Sequence, residues 1–207
     1  MTVSLHDAEG VSRPPRVSHL LYLHGFRSSP LSTKARMMGD WVGRHRPDLH
    51  WWCPQLPVAP AQAIGMLEAE FARWPAQGRA VIGSSLGGFY ATVLAERHDC
   101  PAALLNPAID PARDLASHCG RITAWHSAEA FDFEPAFVDQ LRVLTPPLIF
   151  RKARYFAVIA KGDEVLDWHE MSARYAGCRQ LLLEGSDHAL SDFAQQMDAV
   201  IDAIGLR

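Results

Sequence analysis

The stretch Gly83-Ser84-Ser85-Leu86-Gly87 restricts what this chain can fold into more than any other. A small apolar run, Ala80-Val81-Ile82, leads into it and reads as a buried strand. A helical pattern starts at Leu86 and continues to about Arg97, with Phe89, Val93 and the small Ala91 and Ala95. Strand, sharp turn, helix is the context in which G-x-S-x-G lifts a serine hydroxyl clear of the backbone. The two glycines follow from crowding. At so tight a turn the residues two positions from the serine meet each other, and a side chain does not fit there. Ser85 is therefore a candidate nucleophile whose partners the rest of the chain must supply.

Strand and helix patterns alternate on both sides of that turn. Short apolar runs over 19–25, 49–56, 79–83, 101–106, 155–160 and 179–183 give six strand candidates. Between them, Ser32 or Thr33 caps a helix to about His45, with Ala35, Met38, Trp41 and Val42 on one face. Pro60 opens a second helix, in which Ile64, Leu67, Phe71 and Trp74 recur at spacings of three and four. A third covers 168–175, and Leu190, Phe193, Met197, Val200, Ile201 and Ile204 mark a closing amphipathic helix. This alternation predicts an α/β fold with a mostly parallel sheet covered on both faces. The regularity falters only between Pro107 and Arg151, where four further prolines accompany Trp125, Phe131, Phe133 and Phe137. Residues 108–151 read as a partly helical insertion that roofs a pocket, or else as a plain crossover helix with a long loop. Residues 1–17 read as a loose arm, and 18–207 as one domain.

Bulk properties remove several alternatives. With 20 basic and 23 acidic residues there is no field for a polyanion, so nucleic acid is not an expected partner. The four cysteines are scattered without a C-x-x-C pair, which argues for reduced thiols and against a metal site. The first 17 residues lack a signal peptide's apolar core, and no segment reaches the length of a membrane span, so a cytoplasmic location is the expectation. Residues 83–88 match neither the dinucleotide-binding glycine pattern nor a phosphate-binding P-loop.

A serine hydroxyl needs a general base, and the base needs a carboxylate to orient it. In a doubly wound sheet both should sit on loops at the carboxyl ends of strands. Two loops qualify: Lys161-Gly162-Asp163 after the fifth strand, and Glu184-Gly185-Ser186-Asp187-His188 after the sixth. The resulting order Ser85, Asp163, His188 is that of α/β hydrolases. Asp110 is a reserve acid, and Asp187 a weaker one that can instead cap the closing helix. Ser84 sits at the wrong motif position and reads as a buried turn hydroxyl. Acyl transfer also needs donors for a developing oxyanion. Leu86 N–H lies at a helix start, and the loop His24-Gly25-Phe26 after the first strand offers a second amide, that of Phe26. His24 itself reads as a residue that holds this loop. Trp51, Trp52, Trp125 and Trp168 read either as core or as walls of an apolar pocket.

Taken together, five motifs resemble the YqiA/YcfP family of small α/β-hydrolase esterases. They are residues 21–30, Gly83 to Thr92, Leu105-Asn106-Pro107-Ala108, Gly162 to Asp167, and Gly185-Ser186-Asp187-His188-Ala189. The resemblance implies a compact hydrolase without the first two strands of the larger fold, no cofactor, and Ser85, Asp163 and His188 as catalytic residues. It implies a small-molecule ester or thioester as substrate. Thioesterase or perhydrolase activity with the same three residues, and a non-catalytic binding protein on the same fold, are the competing readings.

Overall fold

The computed structural model describes residues 16–123 and 130–207; the expected arm over 1–17 falls almost wholly outside them, as does Trp125. Six strands form one parallel sheet: β1 (His19–Leu23), β2 (His50–Trp52), β3 (Arg79–Ser84), β4 (Ala102–Leu105), β7 (Tyr155–Ala160) and β8 (Arg179–Leu183), in the order β2-β1-β3-β4-β7-β8. The remaining pair, β5 (Gly120–Thr123) and β6 (Ala130–Phe133), is a separate antiparallel hairpin. Helices α1 (Thr33–His45), α2 (Pro60–Phe71), α3 (Leu86–His98), α4 (Pro111–Asp114), α5 (Pro135–Leu144), α6 (Trp168–Arg174) and α7 (Phe193–Ala203), with short 3-10 helices at Ala116–His118 and Lys152–Arg154, complete the described elements.

Alternate residues of the central strands supply two cores. Leu20, Tyr22, Ala80, Ile82, Ala103 and Val158 face α1 and α7, where Met38, Trp41, Val42, Val200 and Ile201 are buried. Leu21, Leu23, Val81, Leu104, Ala157 and Ile159 face the other way, toward Ile64, Leu67, Phe71, Tyr90, Leu141 and Met171. A strand buried on both sides has no polar face to alternate with, which is why these runs are continuously apolar.

The departures from the sequence reading have local causes. β2 stops at Trp52, short of Leu56, and Pro54 and Pro57, which lack an N–H for the ladder, follow at once. Ser32 occupies the N-cap of α1, yet its hydroxyl makes no capping hydrogen bond. Trp74 lies past the end of α2, where it still packs into the core against Phe71 and Trp52. Leu190 precedes α7 and adopts a left-handed backbone, φ 47°, within a turn closed by Asp187. Residues 108–151 carry α4, α5 and the β5–β6 hairpin, an element the aromatic cluster did not announce. Phe131 and Phe133 are two apart on β6, so both can turn to one side; each meets the ring of Phe26 edge-on.

β1 leads through α1 to β2 on one side of it, whereas β3 pairs with β1 on the other. The strand order thus reverses between β1 and β3, and a crevice opens beyond their carboxyl ends. The loops holding Phe26 and Ser85 leave the sheet at that point.

Candidate active site

Ser85 links β3 to α3 with φ 55° and ψ −121°, a conformation that a residue with a side chain rarely adopts. The surroundings hold it there. A Cβ on Gly83 would lie 2.2 Å from the Gly87 carbonyl oxygen, which is the crowding expected within the turn. A Cβ on Gly87 would meet the Leu23 carbonyl oxygen at 2.1 Å, so this glycine answers to the end of β1 and not to its own turn. Ser85 N–H donates to Leu105 O, and Ser85 O accepts from Ala108 N–H, both at 3.0 Å. The strain is therefore fixed by two neighbouring strands.

Ser85 Oγ is 3.0 Å from His188 Nε2, and His188 Nδ1 is 2.8 Å from Asp163 Oδ2. The Asp163 side chain is 0% exposed and that of His188 21%, so the acid is sealed while the imidazole edge still reaches solvent. Asp163 Oδ1 accepts from the amides of Val165 and Leu166, each at 2.8 Å. With a carboxylate oxygen opposite Nδ1, the proton of a neutral ring sits there, and the Nε2 lone pair faces the serine. Asp163 thus closes its own turn with one oxygen and faces His188 with the other.

The other sequence candidates fall elsewhere. Asp110 is the N-cap of α4 and accepts from Arg113 N–H. Asp187 accepts from the amide and hydroxyl of Ser191, ahead of α7, where it closes the turn that follows His188. Ser84 is buried. His24, 3% exposed, lies with Nδ1 3.0 Å from Gly25 O and accepts from Leu56 N–H at Nε2, which ties the β1 loop to the segment after β2.

That tie bears on the amides expected to face an oxyanion. A Cβ on Gly25 would lie 3.2 Å from Ser85 Cβ, so the β1 loop runs against the serine. Phe26 is the next residue. Leu86 is the first residue of α3, where an amide has no carbonyl one turn earlier to bond. Both residues line a cavity of about 560 Å³, together with Leu56, Val58, Tyr90 and Phe131. Trp51, Trp52 and Trp168 do not line it. The first two pack over opposite faces of the sheet beside β1, and Trp168 stacks on His169.

Three residues not singled out from the sequence hold the loop of His188. Glu164 Oε2 accepts from His188 N–H at 3.0 Å, Lys34 donates to Ala189 O, and the Asn106 side-chain amide donates to Asp187 O and His188 O. Glu164 adjoins a candidate and was in reach of the reading. Lys34 was not, since nothing local relates α1 to residue 189. A further contact joins the two loops: a Cβ on Gly162 would fall 2.3 Å from Ser186 O, so only a glycine lets the loops of Asp163 and His188 touch.

Among the described residues no group of three or more histidine, cysteine or acidic side chains is arranged to hold a metal, and no helix is long and apolar enough to cross a membrane.

A parallel six-stranded sheet with a strained serine turn between strand and helix is the framework of the α/β hydrolases, and solved structures agree. A hydrolase from Agrobacterium vitis matches with a TM-score of 0.73 at 16% identity, over 95% of this chain and 96% of that one. Mouse alpha/beta hydrolase domain-containing protein 10 matches at 0.69 and 13%, over 97% and 99%. Est1E from Butyrivibrio proteoclasticus matches at 0.64 and 13%, over 91% and 87%. The chain belongs to the uncharacterised protein family UPF0227, the YqiA/YcfP group, whose model matches residues 19–204.

Proposed function

We propose that this protein is a serine esterase that cleaves small carboxylic esters through an acyl-enzyme on Ser85. One observation carries the reading: the hydrogen-bonded series Ser85 Oγ, His188 Nε2 and Nδ1, Asp163 Oδ2, with steps of 3.0 and 2.8 Å, beside a cavity whose walls combine apolar residues with Arg27 and Gln55.

In the first half-reaction His188 Nε2 takes the hydroxyl proton as Ser85 Oγ attacks the ester carbonyl carbon. Asp163, buried and bonded to Nδ1, orients the ring and stabilises its cationic form. The carbonyl oxygen gains charge as the tetrahedral intermediate forms, and the amides of Leu86 and Phe26 are the donors for it. One such donor contributes about 3 kcal/mol to lowering the barrier. His188 then passes its proton to the departing alkoxide, leaving an ester on Ser85. Water loses a proton to the same nitrogen, attacks that ester, and the free acid leaves as Ser85 regains its proton.

The apolar part of the substrate fits the cavity walled by Leu56, Val58 and Phe131. Ala130 and Phe131 of β6 line the same cavity, which supports reading this part of the chain as its roof. The same residues would handle a thioester, because nothing in them distinguishes the leaving atom. The hydrolase and esterase folds among the structural neighbours support the general class. The test is turnover of p-nitrophenyl butyrate by Ser85→Ala, with the fold checked by circular dichroism. The expected fall is about 10⁴-fold or more. Undiminished turnover would remove Ser85 from the chemistry.

A further inference from the structure

We infer that Asn106 is a positioning residue for the proposed reaction: its side-chain amide sets where the base loop stands relative to the acid and the nucleophile. The inference rests on the hydrolase reading of the site.

Asn106 follows β4 and is completely buried, with φ 42°. Asparagine tolerates this left-handed backbone better than most residues. Every polar atom of its side chain is used. Nδ2 donates to Asp187 O at 3.0 Å and to His188 O at 3.2 Å, and Oδ1 accepts from Ala160 N–H at 2.8 Å. Ala160 O in turn accepts from Asp163 N–H. One amide therefore reaches the backbone of both partners of Ser85. The same segment grips the nucleophile too, because Leu105 O and Ala108 N–H bracket Ser85. Asn106 is the place where three loops from three strands are held to a common spacing.

Neither of two side chains of similar size satisfies this arrangement. Leucine would leave the buried Ala160 N–H and the part-buried His188 carbonyl without these partners, at about 1–3 kcal/mol each, while Asp187 O keeps only Leu190 N–H. Aspartate would accept from Ala160 but turn a charged oxygen toward the carbonyls of Asp187 and His188. Those carbonyls and the burial favour its protonated form, which can donate to one of them. Charged groups facing the same loop from neighbouring elements are Lys34 on α1 and Asp163 and Glu164 after β7, with Asp187 on the loop itself.

The experiment compares the parent protein with Asn106→Gly and Asn106→Asp. Glycine keeps the left-handed backbone free of strain while deleting the amide. Tyr155→Phe is the control, since it removes a part-buried hydrogen bond to Glu96 at the amino end of β7, far from the site. Each is tested for Ser85 labelling by a fluorophosphonate, for p-nitrophenyl butyrate kinetics, and for thermal unfolding. Misplacing a base by about 1 Å costs on the order of 100-fold. Asn106→Gly is expected to lose about that in kcat, with KM within about twofold and a cooperative melt. Asn106→Asp should fall similarly at about pH 8, and its activity relative to the parent should recover toward about pH 6 as the new carboxyl is protonated. Tyr155→Phe should lower the melting temperature and leave kcat alone.

Parental kcat in both Asn106 variants overturns the inference, as does a loss that merely follows the folded fraction. Failure of both variants to fold assigns Asn106 to the fold alone and overturns it as well. If the parent neither turns over the ester nor is labelled, the hydrolase reading itself falls, and the inference with it.

Discussion

At the carboxyl edge of the sheet, backbone meets backbone. Gly87 lies against the end of β1, Gly162 against Ser186, and the Asn106 amide ties its own loop to the end of β7 and to the loop of His188. Between β4 and β7 the chain is held differently. α4 is joined to α6 by Arg113, whose guanidinium meets both oxygens of Glu170 at 2.8 and 2.7 Å on an exposed surface. The hairpin is anchored by ring edges against Phe26 and by Arg27 Nε on Thr123 O. The first region has almost no adjustable parts, so small changes there should be costly. The second rests on side chains that can rearrange, and should tolerate substitution and vary its pocket wall without disturbing Ser85.

Four substitutions probe this contrast. The largest effect belongs to Asp163→Asn, which keeps the shape but leaves no carboxylate opposite His188 Nδ1. By the proposed mechanism kcat for p-nitrophenyl butyrate drops about 10⁴-fold with little change in unfolding. Activity within tenfold of the parent would break the proposed link between the acid and the base. Gly87→Ala should cost about 3 kcal/mol in a urea titration, because the new Cβ must push the Leu23 carbonyl away. An unchanged midpoint would mean that the elbow has more slack than its contacts imply.

Lys34 gives a smaller effect with a definite pH signature. Burial holds its ammonium down at about 8, although Asp187 and Asp163 pull the other way. In the unfolded chain a lysine titrates near 10.4, so between about pH 8 and about 10.4 the unfolded state binds more protons. Folding stability gains from this group as pH rises through that window, and the burial penalty is fully present below it. Lys34→Met should be the more stable at about pH 7, by a margin that shrinks toward about pH 10, in melts of the two proteins side by side. A constant difference would contradict a desolvated ammonium. The smallest effect is expected in the other region. Arg113→Ala should change stability by less than about 1 kcal/mol, and by less still in high salt, since half-exposed ion pairs are screened. A larger loss would show that the segment is not as loosely fastened as argued.

The contrast also explains what the sequence disclosed. The sheet was legible because each of its central strands is buried on both faces, so Leu20-Leu21-Tyr22-Leu23 or Phe156-Ala157-Val158-Ile159 stand out as unbroken apolar runs. Ser85, Asp163 and His188 were legible as candidates because glycine loops at strand ends mark them, and the structure brings their side chains together. Whether they react is the proposal made above. Asn106 was quoted within a motif without a role, since one amide after an apolar run has no periodic signature and its partners lie 54 and more residues away. The hairpin was hidden for another reason. Two strands of four residues, half exposed, give too short an alternation to separate from a loop containing phenylalanines. Gly162 shows the limit from the other direction: the sequence places it on a loop at a strand end, while the crowding that requires glycine comes from Ser186 on a different loop.

The central claim is that Ser85 is a nucleophile made reactive by His188 and Asp163. Covalent labelling tests it most directly, because it needs no knowledge of the substrate. The protein is incubated with a fluorophosphonate, its intact mass measured, and the modified peptide sequenced. The account predicts a single adduct on Ser85, absent from Ser85→Ala and strongly slowed in His188→Ala. A folded parent protein that takes up no label, or takes it up equally well without Ser85, would contradict it.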